Sequence, residues 1–374
     1  MNPDSNRMEK GQNLIIFAVV MVVLVALTAL VIDGGFAYTK RREAQNAADA
    51  GALAGANALC AGNTDQAVPQ ALDYSINRNG ATSATASLGT KSITVTTTIP
   101  QQTFLAGIFG SDEVTTHATA SAGCYVPCEG VGVLPVAWAC QPPAGGVITD
   151  KCAIEYGPDD LYVIMDSKKS GEDFFCQEPP NSGLPAGTLD CDIDNDGVNE
   201  LETGGNRSWL DLTGKAGAGD LKDWVLNGYP GTLREHTWFG GQAGVADTIF
   251  QAVNSRVGTV VFLPVFDSYC KGKPNSACPS YVHPQDKIVV SGGTSQTYFH
   301  VITFSAFHIT CVSAPPGHDK CPGKDAIWAA NPDILKKSDY NKIKTIEGYF
   351  VKDYFGSGKC EGPSAGVYTI YLNH

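Results

Sequence analysis

Between Asn13 and Ile32 the chain runs NLIIFAVVMVVLVALTALVI, twenty residues without a single charge. Wound as an α-helix at about 1.5 Å per residue, such a run spans about 30 Å, the thickness of a bilayer's hydrocarbon core. A cleaved secretory signal is the competing reading, but its apolar core is usually about 7 to 15 residues long. Here the apolar run is longer, and it continues through Asp33 into a further helical pattern instead of a cleavage turn. A transmembrane helix over residues 13–32 is therefore expected, preceded by a cytoplasmic tail at residues 1–12.

The flanking charges do not settle the orientation. Arg7 and Lys10 precede the span, and Lys40, Arg41 and Arg42 follow it, which slightly favours the opposite topology by the positive-inside rule. Cysteine usage decides the matter. All twelve cysteines lie after the span, in a body rich in Pro and Gly, as expected for disulfides in an oxidising compartment. The expected arrangement is a short cytoplasmic tail and a large extracytoplasmic C-terminal body.

From Tyr38 to Cys60 the sequence YTKRREAQNAADAGALAGANALC contains no Pro and is rich in Ala, so it favours helix and extends the span outward over residues 33–60. Ala44, Ala48, Ala52 and Ala56 recur four apart, and Ala47, Gly51 and Gly55 form an adjacent row. A stripe of such small residues lets another helix approach backbone to backbone. That partner is either another subunit in a filament or the protein's own domain, and the pattern alone does not choose between them.

With these residues in view, a resemblance emerges. The run EKGQ at Glu9–Gln12, the span after it, and VIDGGFAYTKRREAQNAADAGALAGA from Val31 to Ala56 closely resemble the N-terminal signature of TadG-like (TadE/TadG-like) proteins of Tad/Flp tight-adherence pilus systems. Residues 71–80, the alternating KSITVTTTIP, FLAGIFG and EVTTHATASAG resemble the helix, strand, helix and strand that follow in such proteins. The resemblance implies a role in assembling or anchoring an adhesive pilus, as a minor pilin or assembly protein. It implies the membrane and other Tad pilus components as partners, a possible homo-oligomer or filament, and no catalytic residues. Two departures matter. The fifth residue after Gly11 is Ile16 where a processed prepilin has Glu, so no prepilin-peptidase cleavage is expected there. In Asp166-Ser167-Lys168-Lys169-Ser170, Lys168 occupies the place of the first Ser of a von Willebrand A metal site, so that domain is not expected.

Ile93 to Ile99 alternates as ITVTTTI, the period-two pattern of a half-buried strand, and Val114–Ala120 is its natural partner. With Ala67–Ile76 as a helix, residues 61–123 should form a small α+β pilin-like unit. Beyond it, residues 124–374 read as a β-rich extracytoplasmic domain. Strands are expected at Val131–Trp138, Leu161–Met165, Thr259–Phe266, Lys287–Val290, Tyr298–Cys311, Thr345–Val351 and Gly366–Leu372, and helices at Asp220–Leu226 and Ala243–Val253. The expected fold class is thus α+β: an N-terminal transmembrane helix extended into a long alanine-rich helix, a small α+β unit, then a disulfide-braced β-rich domain.

Neighbouring cysteines suggest short loops closed by Cys140/Cys152, Cys176/Cys191, Cys270/Cys278 and Cys311/Cys321. Zinc is disfavoured, since Cys124 and Cys128 form a close pair without a second pair or His at finger spacing. A formal charge of −12 argues against nucleic acid as a partner. Protein, sugar or cation fits better.

The sharpest local motif is DCDIDNDGVNE from Asp190 to Glu200. Counting from Asp192, oxygens of Asp194 and Asp196, the Val198 carbonyl and Glu200 converge at the spacing of a calcium loop, with Gly197 at the turn. Thr203 stands where an EF-hand has its bidentate Glu, so the expectation is a structural Ca²⁺-braced loop, against the alternative of a solvated acidic turn. His283, His300 and His308 are expected to be structural, and Trp209, Trp224, Trp238 and Phe239 to be core, with a sugar- or protein-binding surface as the alternative. No hydrolase motif is present, so the chain is not expected to be an enzyme. The competing class is a membrane-anchored, calcium-binding surface adhesin or binding module.

Overall fold

The computed structural model describes residues 9–103, 113–140, 152–167, 209–242, 247–271, 287–289, 297–314, 320–330, 337, 340–360 and 362–373. They divide into two compact units: Met1–Cys124 with Ile370–His374, and Tyr125–Thr369.

The first unit is built on one helix, α1 (Glu9–Cys60), 52 residues long. Nothing in its interior interrupts the backbone ladder, and its end is specified locally. Gly62 adopts φ +83°, its N–H bonds the Leu59 carbonyl, and the Asn63 N–H bonds that of Ala58, a Schellman closure that a glycine at this position permits. The chain then forms α2 (Thr64–Asp73) and a π-helical turn at Tyr74–Arg78. Three antiparallel strands follow, β1 (Ser83–Leu88), β2 (Ser92–Gln102) and β3 (Glu113–Tyr125), with Ile93 opposite Ala122 and Val95 opposite Ala120. The expected alternation on β2 is present, with Ile93, Val95, Thr97 and Ile99 all buried. They meet Ala44, Ala48, Ala52 and Ala56 of α1 and Ala67 and Ala71 of α2 in one core, against which Ile370 and Leu372 also pack.

The second unit contains an eight-stranded mixed sheet. In chain order the unit's elements are β4 (Glu129–Gly130), β5 (Trp138–Ala139), β6 (Tyr162–Ser167), β7 (Leu210–Asp211), α3 (Ala218–Asn227), β8 (Leu233–Arg234), β9 (Thr237–Gly241), α4 (Asp247–Asn254), β10 (Val260–Lys271), β11 (Lys287–Val289), β12 (Thr297–Ser313), α5 (Pro322–Ala330), β13 (Lys344–Val351) and β14 (Asp353–Tyr354); β15 (Val367–Asn373) follows, its residues from Ile370 onward belonging to the first unit. β12 is the hub. It pairs antiparallel with β10, β13 and β9, and its residues from Tyr298 to Phe307 are all buried, because α4 packs on it while α3 packs on α4. Trp138, Tyr162 and Phe350 form an aromatic cluster with centroids 4.9–5.6 Å apart. Such edge-to-face contacts add to area burial.

One expectation needs correction. Val131–Trp138 is not a continuous strand: its backbone bonds go to separate neighbours, Gly132 to Tyr229 and Leu134 to Phe262, leaving isolated bridges at Val133 and Val136. Pro135, lacking an N–H, cannot continue a ladder between them. Conversely, α5 carried no clear sequence signal. Its first turn is secured by contacts from distant residues, described below.

Candidate functional site

From Asn13 to Ile32 the side chains of α1 are exposed apart from Ala29, and Asp33, just beyond them, is half-buried. Leu14, Phe17, Val22, Leu30 and Val31 are each more than 60% exposed. In water so continuous an apolar sleeve would be costly; in lipid it is the solvent-matched surface. By length and composition this helix can cross a membrane.

Beyond residue 43 the same helix changes character. Ala44, Ala47, Ala48, Ala52 and Ala56 are fully buried, and Gly51 and Gly55 are buried with them. A Cβ added at Gly51 would come within 2.7 Å of the Ala71 carbonyl and clash with Ser75, and one at Gly55 would lie 2.7 Å from Ile93 Cδ1 and 3.0 Å from the Ala67 carbonyl. The small-residue rows therefore form the seat for α2, the π-helical turn and β2 of the protein's own unit. Of the two partners that the stripe allowed, the structure shows the intramolecular one. Thr97 Oγ1 adds a 2.7 Å bond to the Ala44 carbonyl. The exposed apolar rod and the core of a folded head are thus one uninterrupted helix.

Four disulfides lie among the described residues. Cys140–Cys152 and Cys311–Cys321 pair as neighbours, as their spacing suggested. Two others were not legible from spacing. Cys60–Cys124 joins the end of α1 to the end of β3, and Cys128–Cys360 spans 232 residues. The close Cys124/Cys128 pair is thereby split between different partners. Cys176, Cys191 and Cys278 lie outside the described residues, so the expected Cys176/Cys191 and Cys270/Cys278 loops do too, as does the loop holding Asp192, Asp194, Asp196, Val198 and Glu200.

The remaining candidates resolve into packing. Trp209, Trp224, Trp238 and Phe239 are all buried, so they belong to the core and do not line a binding surface. His300 Nδ1 lies 2.8 Å from Asp267 Oδ1 and its ring stacks on Trp238, while His308 stacks on Tyr349; His283 lies outside the described residues. Asp166 and Ser167 lie within β6, paired with Thr345 and Lys344. Sequence reasoning missed two carboxylates. Glu347 accepts the N–H groups of Gly323 at 2.6 Å and Lys324 at 2.8 Å, capping the first turn of α5, while Lys324 Nζ donates to Ser313 Oγ at 3.0 Å. Burial raises the Glu347 carboxyl above its ordinary value, against the lowering effect of those donors. Glu235 sits beside Cys128 and Cys360, and burial raises its carboxyl to about 7. Neither position shows a local pattern, because their partners come from remote strands and loops.

Residues 11–58 match the family model described as putative Flp pilus-assembly TadE/G-like. The matched segment covers the span and nearly all of its extension, the part of the chain on which the resemblance chiefly rested, and it identifies the segment as TadE/TadG-like. No curated protein matches the chain, and neither does any solved structure.

Proposed function

Starting from a TadE/TadG-like N-terminal segment, we propose that this chain is an assembly component, of the minor-pilin kind, of a Tad-type adhesive pilus. α1 anchors it in the bacterial cytoplasmic membrane, and the disulfide-braced body lies on the extracytoplasmic side. The observation that carries the reading is the continuity of α1: one helix supplies a bilayer-length apolar surface and then the small-residue seat of a folded α+β head. Such a rod-and-head element can pack laterally through its apolar half among other pilus components while its head stays outside the lipid. Four disulfides after the span support the orientation, because such bonds persist in oxidising compartments. The family suggests a structural role without catalysis.

A strain lacking the gene should lose its surface pili. A chain in which a cleavable leader replaces residues 13–32, so that both units are exported without the rod, should fail to restore them. Normal piliation in the deletion strain would overturn the assembly role, and a body protected from protease added to spheroplasts would overturn the orientation.

Ca²⁺ at the Asp192–Glu200 loop belongs to the same reading as a structural brace, supported by the spacing of its oxygen ligands. A melting temperature unchanged by chelator would remove it. The adhesin alternative needs a glycan or surface ligand, and an anchored body with normal piliation but lost adhesion in its absence would favour it.

A further inference from the structure

Cys128 and Cys360 are both partly solvent-exposed, and the Glu235 carboxylate lies within 4.8 Å of both sulfurs. By contrast, Cys140 and Cys152 are 5% and 3% exposed. Three backbone contacts hold the arrangement: the Glu235 N–H donates to the Cys128 carbonyl at 3.0 Å, the Cys360 N–H to Val126 at 3.0 Å, and the Cys128 N–H to Ser357 at 2.8 Å. Glu235 Oε2 is buried and has no hydrogen-bond partner among the described residues. Leaving a carboxylate oxygen buried without a partner is costly, and the disulfide sulfurs carry no hydrogen to donate to it. A Cβ at Gly358, which has φ +95°, would stand 2.5 Å from Cys128 Sγ, and one at Gly362 would lie 3.5 Å from Glu235 Oε2.

We infer that Cys128–Cys360 is a thiol–disulfide exchange site, opened and closed by an external dithiol, with Glu235 as its built-in proton donor and acceptor. In the opening direction one thiolate of the dithiol attacks either sulfur. A new S–S bond forms to the reductant, the Cys128–Cys360 bond breaks, and its electron pair leaves on the other cysteine as a thiolate, which takes the proton of the Glu235 carboxylic acid. The second thiol of the dithiol, as thiolate, then attacks the mixed disulfide. The oxidised dithiol departs with its own S–S bond, and the second cysteine leaves as a thiolate that is protonated from water. Two electrons pass from the dithiol to the protein. Closing reverses these steps, and the Glu235 carboxylate removes the proton from the attacking cysteine thiol. Only the thiolate is nucleophilic, which is why a carboxyl poised near neutrality accelerates both directions.

Of the charged groups around Glu235, His236 Nε2 lies 3.9 Å from Oε1, Arg234 is held by Glu129 at 2.8 Å, and Lys359 sits over the Tyr125 ring. None of these bonds Oε2. The bond joins Cys128, at the entry to the second unit, with Cys360 near its exit. It therefore acts as a clasp on that unit.

The test uses the full chain in detergent, reduced by excess dithiothreitol from pH 5 to 8.5, quenched by alkylation and read by peptide mass spectrometry for each bond. Rates are normalised to dithiothreitol thiolate. Below pH 7, Cys128–Cys360 should open at least about tenfold faster in the native chain than in Glu235→Gln, a threshold below the about 10²- to 10⁴-fold that positioned proton transfer typically contributes. The two should converge above pH 8, and Cys140–Cys152 should open at the same rate in both. Superimposable normalised profiles would overturn the inference. Should Glu235→Gln fail to fold, the native chain decides alone: a normalised rate for Cys128–Cys360 that does not change through the carboxyl titration near pH 7, or that is no faster than that of Cys140–Cys152, overturns it.

Discussion

Thr97 Oγ1 donates a 2.7 Å hydrogen bond to the backbone carbonyl of Ala44, joining the middle of β2 to a helix residue 53 positions earlier. The pair sits in a fully buried seam, so the hydroxyl has no water to fall back on. Thr97→Val keeps the shape and removes the donor. It should cost the first unit about 1 kcal/mol, the usual net worth of one such bond, seen as a lower denaturant midpoint with an unchanged slope.

Gly51 and Gly55 meet α2 and Ile93 with no room for a side chain. Gly51→Leu or Gly55→Leu should destabilise the head by about 3 kcal/mol or more, beyond the cost of typical overpacking, because the nearest obstacles include helix backbone that cannot rotate away. Gly34→Ala and Gly35→Ala, where nothing stands near an added Cβ, should be neutral or slightly stabilising through helix propensity. Thermal unfolding in detergent separates the two outcomes.

Cys60–Cys124 closes a loop with a sequence separation of 64. The chain-entropy estimate for a loop of that size is about 4 kcal/mol. Replacing both cysteines with Ser should lower the stability of the first unit by up to that amount. The same replacement of Cys311 and Cys321, separated by 10, should cost less, about 3 kcal/mol by the same relation.

Burial raises the Glu235 carboxyl to about 7 from an ordinary value of 4.5. The folded state then binds this proton more tightly than the unfolded state. The resulting stabilisation is fully present below about pH 4.5 and is lost as pH rises through about 7. The second unit should therefore melt at a higher temperature at pH 5 than at pH 8 on this group's account, and Glu235→Gln should flatten that slope. Equal slopes in the two proteins would refute the assignment.

Glu347 accepts two N–H groups at the start of α5. Glu347→Ala should leave both donors buried and unsatisfied and cost about 2–4 kcal/mol. Amide exchange at Gly323 and Lys324 should rise more than exchange along β10, which marks the loss as local to α5.

What was legible in the chain was whatever repeats along it. The absence of charge from Asn13 to Ile32 specified a bilayer-length helix, the alternation of ITVTTTI specified β2 and its buried face, and the run of aromatic and β-branched residues at Tyr298–Cys311 specified the central strand β12. Periodicity reports the environment of successive residues, so these elements needed no knowledge of their partners. It does not report who the partner is. The alanine and glycine rows fitted another subunit or the protein's own head equally well, and only the packed structure shows α2 and β2 lying in them.

The same limit explains the cysteines and the carboxylates. Spacing found Cys140–Cys152 and Cys311–Cys321 because a short loop keeps its ends together, whereas Cys60–Cys124 and Cys128–Cys360 exist only because separate elements end side by side. Glu235 beside two sulfurs and Glu347 at the head of α5 are likewise products of long-range pairing. The sequence by itself thus determined an anchored helix, its helical extension and the strands with strong patterns, through local hydrophobic periodicity. The tertiary structure alone decided which surface fills the small-residue seat, which thiols meet and which acids are buried, because those depend on contacts between residues that no local pattern links.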